Sequence, residues 1–219
     1  MEGTGVNYNR FIFRVSPEIC RHNISPAYAV IRGEQCSRRD CGRRDCGRKP
    51  FTGMCGVSKS LMFKKYYIAY GSNLNKAHMH SRCPDSEWIG TARLHGFRLL
   101  FRGGWNDSYL TIEHAEGMDL PVAVWRISRR DELLMDRYEG FPTFYYKKEV
   151  VLPEVSCGDH MLKNIPAFVY IMYEDQEPQV PAMEYVEECM QGYRDCGFDP
   201  NLLTEALEVT RRLIDESME

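Results

Sequence analysis

Two features of this chain could take part in chemistry. One is the turn Gly71-Ser72-Asn73, and the other is the side-chain carboxylate of Glu139. The turn follows an apolar run at residues 66–70 and precedes an amphipathic segment, which predicts a strand, a tight turn and the start of a helix. Backbone N–H groups at such a junction can hydrogen-bond an anionic group, and the helix dipole adds to the attraction. An ordinary strand-to-helix turn has the same pattern, so the turn alone leaves both interpretations open.

Glu139 is the candidate general base. The sequence predicts a helix that begins at Ser128, has Asp131 as its capping-box partner and ends just before Gly140. A carboxylate at this end faces the negative pole of the helix dipole, and an aromatic surround would desolvate it; both effects raise a carboxyl pKa. The aromatic neighbours are Tyr138, Phe141, Phe144, Tyr145 and Tyr146. The alternative is a solvated glutamate beside a helix-ending glycine.

The elements that would position these groups are short strands followed by helices. Strands are predicted at residues 66–70, 87–92, 97–102, 109–114, 122–127, 146–152 and 167–173. Helices are predicted at residues 75–82, 128–139, 182–193 and 201–216, the last with Asp199 as cap and Pro200 in its first turn. Many short strands with few helices predict a mixed α/β (α+β) fold, a compact sheet or small β-barrel core flanked by helices.

Composition favours a soluble globular body. No stretch approaches the ~18 apolar residues that span a bilayer, and the N-terminus lacks the apolar core of a secretory signal. We therefore expect a cytoplasmic protein that does not bind membranes. Four cysteines of the body are then expected to be free thiols: Cys83, Cys157, Cys189 and Cys196.

Residues 1–61 differ from the rest. They contain 11 Lys/Arg and 5 Asp/Glu, a charge of +6, whereas residues 62–219 contain 17 and 26, a charge of −9. The cysteines at positions 36, 41, 46 and 55 are spaced poorly for a zinc site. The basic cluster at residues 38–49 is a weak indication of nucleic-acid binding, which we do not expect. The stretch has no amphipathic period, so we expect a mostly disordered leader. We interpret it as an upstream extension with little bearing on activity, and residues 62–219 as the folded domain.

Two motifs together carry a family resemblance. Tyr-Gly-Ser-Asn-Leu at residues 70–74 is followed about 65 residues later by Asp-Arg-Tyr-Glu-Gly at residues 136–140. In this order and spacing they resemble the γ-glutamylcyclotransferase family, which includes the γ-glutamylamine cyclotransferases and the plant avirulence-induced (AIG2-like) proteins. The resemblance covers about residues 64–198. It includes Arg-Leu-Leu-Phe-Arg-Gly at 98–103, Tyr-Leu-Thr-Ile at 109–112 and Tyr-Tyr-Lys-Lys-Glu-Val at 145–150.

The resemblance implies a small β-barrel with flanking helices and an intramolecular aminolysis. The α-amine of a γ-glutamyl group attacks its own γ-carbonyl, which closes 5-oxoproline and releases the attached amine or amino acid. One carboxylate of raised pKa can move the proton, so no cofactor or metal is expected. The expected partner is a small γ-glutamyl substrate, and the protein would be a monomer or a homodimer.

The family roles can be carried over residue by residue. Glu139 matches the catalytic acid/base, and Asn73 separates this chain from the glutathione-specific branch, whose loop lacks that residue. The substrate-binding positions are Tyr70, Gly71, Ser72, Asn73, Leu74, Tyr145 and Tyr185. Tyr146 aligns almost as well as Tyr145, and Arg102 is a weaker candidate for a basic residue near the site.

Other chemistries fit less well. His78 and His80 are two positions apart, so on a helix they point to different faces and make a poor metal pair. Ser72 lacks the second glycine of a nucleophile elbow, which argues against a serine hydrolase. A different class remains as the alternative: a catalytically inactive or repurposed family member that binds a γ-glutamyl-like ligand or a protein partner. Retention of Glu139 favours the enzyme.

Overall fold

The computed structural model of the protein describes residues 64–103 and 107–219. The expectation that residues 1–61 are mostly disordered, and the disfavoured alternatives of a zinc site or a nucleic-acid arm, concern residues outside the described ranges. The strands within them are β1 Lys65–Ala69, β2 Glu87–Gly103, β3 Ser108–Ile127, β4 Tyr145–Cys157, β5 His160–Met172 and β6 Glu177–Pro178. The helices are α1 Lys76–Arg82, α2 Arg129–Tyr138, α3 Met183–Asp195 and α4 Asn201–Ser217, and a 3-10 helix covers Ser72–Leu74.

Five of the strands form a closed barrel. Their order is β3-β1-β5-β4-β2, and β2 pairs again with β3, which completes the ring; β6 adds to β2. β1 runs antiparallel to β3 and parallel to β5. The helices lie outside this ring, so the predicted mixed α/β architecture with a small barrel core is confirmed.

The strands are longer than the sequence predicts. β2 joins the predicted strands 87–92 and 97–102, and β3 joins 109–114 and 122–127. Glycine and proline between the predicted segments indicated turns, but Gly96 adopts φ +78° at a register shift between His95 and Phe97, and Pro121 pairs with Arg93 inside the ladder. A bulge absorbs the extra residue and bends the strand without ending it.

Local signals set the ends of the helices that border the site. Ser128 Oγ accepts from the Asp131 N–H at 3.1 Å and Asp131 Oδ2 accepts from the Ser128 N–H at 3.2 Å, so the predicted capping box at α2 is present. The chain leaves α2 through Gly140, whose φ of +64° favours glycine. Asn75 caps α1 by accepting from the N–H groups of residues 77 and 78. No helix of the described ranges is long and apolar enough to cross a membrane.

Helix α3 lies against the loop that follows β1. A Cβ at Gly192 would come within 2.8 Å of Leu74 Cβ and 2.9 Å of the Asn75 nitrogen, so only glycine allows this approach. The Tyr193 hydroxyl donates to the Tyr70 carbonyl at 3.0 Å. These contacts hold the loop against α3. The N-cap of α4 is Pro200 and not the predicted Asp199, which lies one position earlier and accepts from the Asn201 N–H at 3.0 Å.

Candidate active site

The loop after β1 turns sharply at the end of the barrel strand. The Tyr70 hydroxyl donates to the Tyr170 carbonyl at 2.7 Å, and the Leu74 N–H donates to the Gly71 carbonyl at 2.9 Å to close the 3-10 helix. Ser72, Asn73 and Leu74 are buried, and the first N–H groups of a helix have no acceptor within it. The loop therefore offers backbone donors at a fixed, largely enclosed position.

Glu139 lies beside this loop. Its carboxylate oxygen Oε1 accepts a hydrogen bond from Asn73 Nδ2 at 3.2 Å, and the same Nδ2 donates to the Tyr67 hydroxyl at 2.9 Å. The Glu139 N–H donates to the Met135 carbonyl at 2.8 Å, which holds the residue as the C-cap of α2. The C-terminal end of α2 and the loop after β1 thus meet at the contact between Glu139 and Asn73.

The environment of Glu139 suits proton transfer. Burial raises the pKa of its carboxyl to about 7, against the opposing effects of Arg82 and of the Asn73 hydrogen bond. A carboxyl with this pKa is present in both protonation states near neutral pH, so it can accept a proton and return it. The residue as a whole is half-buried, whereas its carboxyl group is enclosed by protein atoms.

Two tyrosines bracket the backbone of Leu110 next to the loop. The Tyr145 hydroxyl donates to the Leu110 carbonyl at 3.1 Å, and the Tyr185 hydroxyl accepts from the Leu110 N–H at 3.2 Å. A Cβ at Gly71 would be 3.5 Å from the Tyr185 oxygen, so Tyr185 reaches the loop. The Tyr146 hydroxyl instead donates to the exposed Glu174 carboxylate at 3.1 Å. The geometry therefore favours Tyr145 over Tyr146 as the tyrosine of the site.

The basic residue at the loop is Arg82, which the sequence reasoning missed. Its Nη1 donates to Ser72 Oγ at 3.0 Å and to Asn73 Oδ1 at 2.6 Å. Arg102, the sequence-based candidate, binds Glu113 at 3.2 Å and the carbonyls of residues 174 and 176. The available signal for Arg82 was its place at the end of the helix that directly follows the loop.

The two histidines of α1 have separate environments. His78 Nδ1 lies 2.7 Å from Glu188 Oε1, and His80 is exposed. Across residues 64–103 and 107–219, no group of three or more His, Cys, Asp or Glu side chains is arranged to hold a metal ion.

Comparison with known proteins gives one family. The family model described as "Gamma-glutamyl cyclotransferase, AIG2-like" matches residues 67–187. Proteins named gamma-glutamylcyclotransferase from Homo sapiens and Mus musculus are each 28% identical over 138 residues, which is 60% of this chain and 71% of theirs.

Solved structures agree with this match. A structure titled "Gamma-glutamyl cyclotransferase" is 25% identical with a TM-score of 0.54, covering 68% of this chain and 86% of its own. The crystal structure of an uncharacterized protein from Homo sapiens is 26% identical with the same TM-score and the same coverage. Because the family model spans more than half of the sequence and includes both the loop and Glu139, the chain belongs to the γ-glutamyl cyclotransferase, AIG2-like family.

Proposed function

We propose that the protein cyclises the γ-glutamyl group of a small γ-glutamyl amine or peptide to 5-oxoproline and releases the free amine or amino acid. The observation that carries this proposal is the pair formed by Glu139, with a carboxyl pKa raised to about 7, and Asn73 of the adjoining loop. The relatives named gamma-glutamylcyclotransferase support the reaction class.

In the proposed reaction Glu139 acts as general base and then as general acid. It takes a proton from the substrate α-amine as that nitrogen forms a bond to the γ-carbonyl carbon. The bond between this carbon and the leaving nitrogen then breaks, and the leaving nitrogen receives the proton from Glu139. The products are 5-oxoproline and the free amine, and the carboxylate is regenerated. Only a proton moves through the protein, so the step requires no cofactor.

The loop would hold the γ-glutamyl group in the curled conformation that the reaction needs. Nucleophile and carbonyl belong to one molecule, so a fixed geometry supplies a large share of the rate. The backbone N–H groups at Gly71, Ser72 and Asn73 are suited to the substrate α-carboxylate or to the developing oxyanion. The side chains of Tyr70 and Leu74, at the two ends of the loop, are both buried and would hold the loop in place.

Tyr145 and Tyr185 would form the aromatic wall. Burial raises the pKa of both phenols well above the usual value, so both remain neutral donors or acceptors at physiological pH. Their edge-on contacts extend the wall: the ring centroids of Tyr109 and Tyr185 are 5.2 Å apart, and those of Phe144 and Tyr145 are 5.3 Å apart.

The loop contains Asn73, which the loop of the glutathione-specific branch lacks. We therefore propose small γ-glutamyl amines or dipeptides as substrates in preference to glutathione.

The test is turnover by the full-length protein of a panel of γ-glutamyl amines and dipeptides, measured as release of 5-oxoproline. Glu139→Gln should lose orders of magnitude in kcat while still binding 5-oxoproline by calorimetry, because it keeps the size and the acceptor of the side chain but cannot take a proton. Glu184→Gln, an exposed glutamate of α3, is the control and should match the wild type. An equally active Glu139→Gln would refute the mechanism. Binding without turnover of any substrate would favour a non-catalytic family member.

A further inference from the structure

Arg82 is held by several groups at once. Besides Ser72 Oγ and Asn73 Oδ1, it binds Glu188 Oε1 through Nη2 at 3.1 Å. Its guanidinium carbon also lies 4.2 Å above the centre of the Tyr138 ring. The side chain is 19% exposed. A planar guanidinium with five donors can serve all these partners in one orientation, which a lysine ammonium cannot do.

The contact with Arg82 decides which way the Asn73 amide faces. A guanidinium only donates hydrogen bonds and a carboxylate only accepts them. With Oδ1 toward Arg82, the Asn73 amide places Nδ2 toward Glu139, and both contacts are favourable. After a flip, Nδ2 would face the guanidinium donors and Oδ1 would face the carboxylate, so both contacts would be repulsive. The arginine thus excludes the wrong amide orientation.

We propose that Arg82 is a positioning residue that locks the Asn73 amide with Nδ2 toward Glu139, and that Glu188 holds Arg82 in place. The kinetic part of this inference rests on the proposed function, since it takes Glu139 as the acid/base. The orientation of the amide does not depend on it, because it concerns the substrate-free protein.

Glu188 connects the site to α3. Its Oε1 receives Arg82 Nη2 at 3.1 Å and lies 2.7 Å from His78 Nδ1, so one carboxylate joins two side chains of α1. Its side chain is 23% exposed. Since Arg82 also reaches the loop, helix α3 influences Glu139 through a chain of three hydrogen bonds: Glu188 to Arg82, Arg82 to Asn73, and Asn73 to Glu139.

Charge and orientation are separable effects of Arg82. The other titratable groups that interact with Glu139 come from β1 and the loop, the end of α1, α2, β4 and β5. They are Tyr67, Tyr70, Cys83, Tyr138, Tyr145 and Tyr170. Burial raises the pKa of each, so they are neutral near pH 7 and Arg82 is the charged member of the set. Its charge lowers the pKa of Glu139, whereas its forked donors orient Asn73.

The first experiment needs no substrate. In the full-length protein, the Asn73 side-chain amide resonances are followed by NMR from pH 5 to 9, in wild type, Arg82→Gln, Arg82→Lys and Glu188→Gln. In the wild type they should shift with the titration of Glu139, because Nδ2 donates to it. This response should be lost in Arg82→Gln and weakened in the other two variants. Arg98→Gln, which removes an arginine bound to Glu113 at 2.8 Å, is the control and should behave as wild type. If the Asn73 amide shifts of Arg82→Gln responded to pH in the same way as those of the wild type, the proposal would be overturned.

The second experiment separates charge from orientation by kinetics. Arg82→Gln should move the acidic limb of kcat/KM to higher pH by about one unit, since it removes a nearby positive charge. Arg82→Lys should restore that limb but retain a loss of about tenfold or more in kcat, because a misplaced site reacts slowly even when its charge is correct. Full recovery of kcat in Arg82→Lys would show that Arg82 acts by charge alone and would refute the positioning role.

The two proposals fail in different ways. If the wild type releases no 5-oxoproline, the proposed function is wrong, and the NMR experiment still decides the role of Arg82. If turnover is found and depends on Glu139, but Arg82→Gln leaves both amide shifts and kcat unchanged, only the positioning proposal is wrong. Thermal unfolding of each variant verifies that the fold is retained.

Discussion

The side-chain amide of Asn73 donates a hydrogen bond to the carboxylate of Glu139 at 3.2 Å, although the two residues are 66 positions apart in the chain. Asn73 belongs to the loop after the first barrel strand, and Glu139 to the end of a helix outside the barrel. Each residue alone has an ordinary structural explanation in the sequence. Their contact joins a loop of backbone donors to a carboxyl of raised pKa.

The activity should depend on pH through Glu139. In the proposed reaction the Glu139 carboxyl must be ionised to accept the proton of the substrate amine, and burial raises its pKa to about 7. We expect kcat/KM to fall as pH decreases through about 7, because the protonated form cannot act as base. The measurement is the kcat/KM profile for 5-oxoproline release from pH 5 to 9. A profile flat down to pH 5 would contradict this assignment.

The same carboxyl should lower stability at high pH. A raised folded-state pKa means that the folded protein retains the proton between about 4.5 and 7, so stability falls as pH rises through that window. Glu139→Gln does not titrate and should be more stable than the wild type at pH 8 by about 1–2 kcal/mol, allowing for partial solvent access. At pH 4.5 this advantage should vanish. Urea unfolding measures the free energy of unfolding of both proteins at each pH. If the variant and the wild type differed by the same amount at pH 8 and at pH 4.5, a buried ionised carboxylate would be excluded.

Tyr145 and Tyr146 should respond differently to loss of the hydroxyl. Tyr145→Phe removes the donor to the buried Leu110 carbonyl and should destabilise the protein by about 1 kcal/mol and lower kcat/KM. Tyr146→Phe removes only an exposed contact with Glu174, so it is the matched control and should be neutral. Kinetics and thermal unfolding of both variants test the choice. A larger effect from Tyr146→Phe would reverse it.

Gly192→Ala should displace the loop. The added methyl would come within 2.8 Å of Leu74 Cβ and 2.9 Å of the Asn75 nitrogen, and overpacking of this kind costs about 1–3 kcal/mol. We expect a lower melting temperature and a reduced kcat, because the loop carries Asn73. Glu187→Ala on the exposed face of the same helix should leave both unchanged. Wild-type kcat in Gly192→Ala would show that the loop tolerates the shift.

Removal of residues 1–61 should leave turnover and melting temperature nearly unchanged. The family match begins at residue 67, and the side chains assigned to the site lie between Tyr67 and Glu188. The measurement compares the full-length protein with residues 62–219 for 5-oxoproline release and for thermal unfolding. A large loss of either would assign the leader a structural role.

The local elements could be predicted because their signals are local. The apolar run before Gly71 and the capping box of Ser128 and Asp131 depend on residues within a few positions of each other, and the structure contains both elements. The uninterrupted β2 could not be predicted in this way. In the sequence, Gly96 indicates a turn, and only the pairing of β2 with β3 shows that it lies in a bulge.

The same distinction applies to the site. Glu139 could be singled out because a helix end and aromatic neighbours lie next to it in sequence. Arg82 could not be distinguished among 28 lysines and arginines, because its role depends on Glu188, which is 106 positions away. Its guanidinium also contacts Asn73 at 2.6 Å only once α1 has folded back onto the loop.

The distance in sequence between the parts of the site has a consequence for folding. The parallel pairing of β1 with β5 joins Tyr66 to Ala167, and the Arg82–Glu188 contact forms only after α3 has docked. We expect non-local contacts of this kind to form late, because the entropy cost of closing the intervening chain must be met before the contacts can stabilise the fold. During refolding, enzymatic activity should therefore return only with the slowest phase, so that turnover reports on completion of the native topology.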